Sequence, residues 1–276
     1  MVSIEMLTVG KELLIGRTVN TNAHWVGGKL ARLGTMLRRI TTVDDNLPEI
    51  SGTIKEILAR SPDFVVTIGG LGPTPDDMTI EGISMALELP LELNSKALAL
   101  IRAHYRKREL ARIRITSSRK KMARMPRGAE PLRNDKGTAP GVRVRAGSST
   151  IFSLPGVPSE MKSIFTKSVE PEIRSSIGSL FRAYHRLKIE GIFESDLAPQ
   201  ISREISLHPT AYVKSHPRGV RDGVSRIELD IAVVGEDRKM AENEAGTIRT
   251  SFAKWVNDHG GRFVNPEPGK GNNRGR

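Results

Sequence analysis

Three short apolar runs, Ile4 to Gly10, Met36 to Val43 and Asp63 to Ile68, alternate with two stretches whose apolar residues recur at helical spacing. Ala23, Val26, Leu30 and Leu33 mark the first helix, closed by Gly34 as a C-cap, and Ile50, Ile54, Ile57 and Leu58 mark the second. A β-α-β-α-β order of this kind predicts parallel strands joined by right-handed crossovers. The third run, DFVVTI, has no polar alternation, as expected of a strand covered on both faces. With two Trp, three Tyr and seven Phe among 276 residues, the core between sheet and helices has to be aliphatic.

The remaining pattern divides the chain. Helices are predicted over Ile80 to Leu89 and Ser95 to Glu109, whereas Arg112 to Arg133 is basic and carries no clear period. Gly141 to Ala146 and Thr150 to Leu154 flank Gly147-Ser148-Ser149, a hairpin that adds antiparallel strands to the sheet. A helix starts at Pro158 and runs past Val169. After Ser175 the pattern restarts: strand Arg186 to Glu190, amphipathic helix Glu194 to Ile205, strands Ala211 to Ser215 and Arg226 to Val234, and a long helix Lys239 to His259. The expected organisation is an α/β domain at 1–172, a small α+β domain at 173–264, and a disordered Gly/Pro-rich tail at 265–276.

Composition removes some chemistry. The chain has no cysteine, so disulfides, thiol nucleophiles and thiolate metal sites are excluded, and a cytoplasmic location is expected. The six histidines show no ligand spacing. No apolar stretch approaches the roughly 18 residues of a membrane span. The formal net charge of +12 is local: residues 101–145 hold 15 Lys/Arg against three acids, and the remainder balances at 28 of each. Such a field suits an anionic small ligand as well as a polynucleotide.

Three constellations carry chemistry. Gly69-Gly70-Leu71-Gly72-Pro73-Thr74 follows the third strand and precedes a helix, so its backbone N–H groups can cradle phosphate at a strand's carboxyl end. Asp76 and Asp77 come next. Acids beside a phosphate nest make sense if a divalent cation bridges them to the phosphate, although a helix N-terminus favours Asp too. The second constellation is Gly10-Lys11-Glu12 with Asn20 and Asn22, after the first strand. Glu12 suits a metal, while the asparagines suit either a ligand or a helix cap. Asp45, after the second strand, suits a ribose hydroxyl or a turn. The third is the loop Asn134 to Gly141, where Lys136, Gly137 and Thr138 are candidates for a phosphate or base, together with Pro155 and Gly156 after the last apolar run.

Taken together, KELLIGRTVNTNA at 11–23, TIGGLGPTPDDMT at 67–79, NDKGTAPGV at 134–142 and LPGVPSEM at 154–161 resemble the CinA family, whose N-terminal domain is related to the MogA, MoeA and gephyrin domains of molybdenum-cofactor synthesis. LKIEGIFESDLA at 187–198 resembles the start of the KH-like domain that follows in those proteins. The resemblance implies a mostly parallel sheet with helices on both faces, then a KH-like α+β domain. The C-terminal domain that deamidates nicotinamide mononucleotide in full-length relatives is not expected here. Lys11 departs from the family's usual Asp or Asn, which weakens any metal role at that position.

The resemblance implies a hydrolase that cleaves the pyrophosphate of ADP-ribose or a similar nucleotide sugar with Mg²⁺, Mn²⁺ or Co²⁺. Asp77 and Glu12 would be the metal ligands, Asp76 would assist catalysis, and the glycine loop would hold the diphosphate. A molybdopterin-binding or adenylyl-transferring protein is the alternative. A nucleic-acid-binding module using residues 101–145 is the second alternative. The expected partners are a nucleotide-diphosphate small molecule and further copies of the chain in a homo-oligomer, with no membrane.

Overall fold

The computed structural model describes residues 2–107, 114–178 and 180–264. The chain divides into two compact units, Met1–Gly178 and Ser179–Arg276.

The first unit begins with strand β1 (Ile4–Val9), the short helix α1 (Lys11–Leu14), helix α2 (Thr21–Arg32) and strand β2 (Leu37–Val43). Helix α3 (Leu47–Ala59), strand β3 (Phe64–Ile68) and helix α4 (Thr79–Ala86) follow. A small excursion then comprises β4 (Leu91–Leu93), α5 (Ser95–Lys107), α6 (Ser117–Lys121) and β5 (Arg124–Pro126), in which β4 and β5 pair as a separate two-stranded sheet. The chain returns through β6 (Glu130–Leu132), β7 (Gly141–Ala146) and β8 (Ser149–Leu154). Helix α7 (Pro158–Ile164), a π turn (Phe165–Val169) and α8 (Glu170–Ile177) complete the unit. The π turn precedes Pro171, whose ring and missing N–H would interrupt a regular α-helix at that point.

The main sheet has the order β2-β1-β3-β8-β7-β6. The first four strands are parallel to their neighbours, and β7 and β6 run antiparallel. The expected hairpin is present, and its second strand docks parallel on β3. Successive residues of β1 and β3 enter different cores. Ile4, Met6, Phe64, Val66 and Ile68 pack with α2 and α7, while Leu7, Val9 and Val65 pack with α3, α4 and α5. Burial on both faces explains why these strands read as unbroken apolar runs.

The second unit consists of β9 (Phe181–Glu190), α9 (Glu194–Leu207), β10 (Ala211–Arg221), β11 (Val224–Gly235), α10 (Arg238–Asp258) and β12 (Arg262–Val264). Its antiparallel sheet has the order β10-β11-β9-β12. The strands are longer than the sequence pattern suggests because β10 and β11 continue to a tight turn at Asp222-Gly223, both with positive φ. That conformation matches the twist of a two-residue hairpin. Strand β12 was not expected. The tail at 265–276 lies outside the described residues.

Close packing of α4 on α3 sets where the glycine loop ends. A Cβ on Gly82 of α4 would lie 2.5 Å from Cγ2 and 2.8 Å from Cβ of the fully buried Ile50. A branched side chain cannot move away cheaply, so Gly82→Ala is expected to lower the unfolding free energy by about 1–3 kcal/mol. Urea denaturation of the two proteins checks this, and equal midpoints would show that the helices separate without cost.

Candidate functional site

Four parallel strands end at one edge, and the segments after them line a single cleft of about 610 Å³. Gly10 and Glu12 come from the end of β1, Asp45 from the end of β2, Gly69 to Pro73 from the end of β3, and Pro155 and Gly156 from the end of β8. The strand order reverses direction between β2-β1 and β1-β3, and open α/β sheets hold ligands at such a crevice.

The glycine loop is shaped by contacts that only glycine permits. Gly69 has φ 104°, and a Cβ there would lie 2.2 Å from the Val9 carbonyl oxygen. Gly70 has φ 66°, and a Cβ would lie 2.2 Å from Oγ1 of Thr79. Thr79 then fastens the loop: its Oγ1 donates to Gly69 O at 2.8 Å and its N–H to Gly70 O at 3.2 Å. Farther on, Asp77 Oδ2 accepts from Thr74 N at 2.8 Å and from Thr74 Oγ1, while the Lys121 ammonium donates to the Thr74 carbonyl. Asp77 therefore fronts the cleft with one oxygen committed to its own loop. Thr74 serves as that anchor and lies outside the cleft lining.

On the β1 side, the Glu12 carboxylate folds over Gly10, where a Cβ would meet it at 2.6 Å. Asn20 caps α2 by accepting from Ala23 N at 3.0 Å and donates to Thr8 Oγ1 at 3.2 Å. Asn22 donates to Gly156 O at 2.7 Å, tying α2 to the loop after β8, and its buried Oδ1 has no hydrogen-bond partner. Asp45 Oδ2 accepts from Lys11 N at 3.0 Å. The Lys11 ammonium lies 3.7 Å from Asp44, on the surface.

The acids of this edge feel one another. Burial pushes the Asp45 carboxyl above its ordinary value, the Lys11 amide opposes that, and the charges of Glu12, Asp44 and Asp76 push it further up. Asp76 itself is held down by hydrogen bonds from Thr74 and its own backbone and by the charge of Lys121, so it stays ionised. Among the described residues no three His, Cys, Asp or Glu side chains form a metal-binding group. A divalent ion at this edge would therefore rest on one or two carboxylates, with the ligand's phosphate oxygens and water completing its shell, as Mg²⁺ accepts.

The third constellation comes only partly into the cleft. Thr138 lines it, but Lys136 and Gly137 do not. Asn134 holds this turn: its buried side chain accepts from the N–H of Lys136 at 3.1 Å and of Gly137 at 2.8 Å, and donates to Ala139 O and Glu160. The Gly137 amide is thus spent on its own turn, and Gly137 packs against the Glu160 carboxylate. Lining residues outside the candidate motifs include Tyr105 and Met122, and Glu160 of LPGVPSEM lines the cleft without having been singled out. Tyr105 is held by Arg119, whose Nε donates to its hydroxyl at 3.1 Å and whose guanidinium carbon lies 4.8 Å from its ring centroid. A lone aromatic in a cationic segment was the available signal.

The family model described as "Probable molybdopterin binding domain" matches residues 5–175. A protein of Metallosphaera sedula is 40% identical over 265 residues, covering 95% of this chain and 98% of the relative. One of Aeropyrum pernix is 40% identical over 256 residues, covering 93% and 94%. Among solved structures, the crystal structure of the protein CinA with unknown function from Thermoplasma acidophilum is 41% identical, with a TM-score of 0.56. That match covers 62% of this chain and 98% of that one. No described helix is long and apolar enough to cross a membrane.

Thr79 is the residue on which loop closure turns. Thr79→Val keeps the shape but leaves the Gly69 carbonyl without its donor in a buried place. Stability is expected to fall by roughly 1–3 kcal/mol. Chemical denaturation measures it, and an unchanged midpoint would mean that the loop is held elsewhere.

Proposed function

The chain belongs to the molybdopterin-binding-domain family, and from that premise we propose that its first unit binds a phosphate-bearing heterocycle, of the pterin or nucleotide class, in the cleft at the carboxyl edge of the sheet. The observation that carries this reading is the convergence of four strand ends on one cleft whose central loop is built from close-packed glycines. Loop N–H groups would take the phosphate, as they do in backbone anion nests. The half-buried Tyr105 and the buried Met122 offer a flat apolar wall for a ring. Asn22, through its unpartnered Oδ1, has an acceptor ready for a ligand N–H or hydroxyl.

A second reading, hydrolysis of the pyrophosphate of ADP-ribose or a similar nucleotide sugar, is favoured by one feature: the carboxylates of Glu12, Asp45, Asp76 and Asp77 line the cleft beside the phosphate loop. Glu12, with one further carboxylate of this edge, would hold a divalent cation such as Mg²⁺, Mn²⁺ or Co²⁺. When bound, the cation would neutralise charge on the phosphoryl oxygens. Asp77 keeps the loop in shape through Thr74 and has its other oxygen free to order water. Cleavage would release AMP and ribose 5-phosphate from ADP-ribose. For a ligand that carries a single phosphate, the same groups would bind without cleaving.

Calorimetric titration with ADP-ribose, AMP and molybdopterin, with and without Mg²⁺, tests both readings. At least one ligand is expected to bind at one site per chain. Gly72→Val, whose Cβ would meet Asp77 Oδ2 at 2.5 Å, is expected to abolish that binding. Absence of binding by all three ligands contradicts the first reading. AMP release from ADP-ribose that depends on a divalent ion and falls at least a hundredfold in Glu12→Gln supports the second, by analogy with removal of one charge-stabilising group. No release with Mg²⁺, Mn²⁺ or Co²⁺ removes it and leaves the first intact.

A further inference from the structure

The sheet of the second unit has two unlike faces. Ala183, Ile189, Val213, Ile227, Leu229, Ile231 and Val233 share a core with α9 and α10. Their strand neighbours point the other way, away from the face on which the described helices α9 and α10 pack. Register places Tyr212, Ala232 and Tyr184 directly opposite one another across β10, β11 and β9. Both tyrosines are exposed, Tyr212 by 55% and Tyr184 by 41%, and only a methyl group stands between them. The next two rows are Lys214, Asp230, Arg186 and His216, Glu228, Lys188.

The charges on this face do not cancel evenly. Asp230 is claimed by Arg186, at 2.7 and 3.0 Å, by the Tyr184 hydroxyl at 2.6 Å and by His216 at 3.2 Å. Glu228 is claimed by Arg218, and Glu190 by Arg226 and Arg262. Each acid is thus neutralised inside the face. Arg182, Lys188 and Lys214 form no ion pair among the described residues, and the Arg182 guanidinium lies 4.8 Å from the Tyr184 ring centroid. What is left over is positive charge beside two exposed aromatic rings. Tyr184 is pinned through its hydroxyl, so the ordering of its side chain precedes any binding event.

We propose that this sheet face binds single-stranded nucleic acid, with bases on Tyr184 and Tyr212 and phosphates on Arg182, Lys188 and Lys214. Aromatic rings on a sheet stack on the flat faces of bases without regard to sequence, and nearby cations follow the backbone. The assignment does not depend on the cleft of the first unit. It also differs from a purely ionic interaction of the basic segment 101–145, which has cations but only Tyr105 as an aromatic.

Fluorescence anisotropy of the full chain with labelled single-stranded RNA and DNA of about 12 nucleotides tests the proposal. Binding is expected at low salt, with a log–log salt slope of about −2 from three phosphate contacts on a single strand. Tyr184→Ala and Tyr212→Ala are each expected to weaken it roughly tenfold, and Tyr184→Phe to leave it near the wild-type level. The double variant Lys120→Ala/Arg124→Ala, in the first unit, should leave it unchanged. Circular dichroism verifies folding. If Tyr184→Ala does not fold, the more exposed Tyr212→Ala carries the test under the same criterion. No binding of either nucleic acid overturns the proposal. So does binding that is insensitive to the tyrosines, lost with Lys120 and Arg124, or matched by polyglutamate.

Discussion

The approach of Gly69 to the Val9 carbonyl sets the geometry on which the rest of the first unit depends. Two adjacent parallel strands end so close together that no side chain fits between them. The chain leaving β3 must therefore turn at once with positive φ at two consecutive residues, which glycine alone adopts without strain. That turn directs the loop back across the sheet edge. Thr79 returns two hydrogen bonds to it from the start of α4, and α4 in turn is seated on α3 through Gly82. Backbone geometry, helix packing and cleft thus form one connected construction.

The electrostatics of the edge follow from the same construction. Loops that leave neighbouring parallel strands are crowded together, and here three of them bring carboxylates: Glu12, Asp45 and Asp76. Backbone N–H groups stabilise some of this charge, as Lys11 does for Asp45. Lys121, from the excursion after α4, holds the Thr74 carbonyl and lowers Asp76. Part of the basic segment is therefore explained locally: Lys121 braces the loop and Arg119 holds Tyr105. A phosphate-bearing ligand fits an edge of this kind when its own charge is shared between loop N–H groups and a cation.

Strands β1, β2, β3, β7 and β8, the helices α2, α3 and α4 and the glycine loop were legible in the sequence because each depends on short-range pattern: an apolar run, a helical period, glycines at a strand end; the short strands β4, β5, β6 and β12 carry no such pattern. Gly10, Glu12, Asp45, Gly156 and the loop from Gly69 to Gly72 reach the cleft because strand ends in a parallel sheet share an edge. What the sequence concealed depends on contacts between distant segments. Tyr105 reaches the cleft only because α5 packs against the sheet. Thr79 looked like an ordinary helix start. Gly137 looked like an amide donor for phosphate, but Asn134 captures its N–H in a turn braced by Glu160, 26 residues away, and Lys136 lies outside the cleft lining. In the second unit, the Asp222-Gly223 turn was present as a dipeptide signal, and its two positive φ values extend the hairpin beyond the apolar alternation.

In the proposed complex the loop N–H groups after β3 would receive the ligand's phosphate. Amide ¹H–¹⁵N correlation spectra of the labelled chain, recorded during titration with ADP-ribose and Mg²⁺, test it most directly. The largest shifts are expected on Gly70, Leu71 and Gly72, with Gly156 following through its bond to Asn22. Shifts confined to residues away from this edge, or a spectrum that does not change, would contradict it.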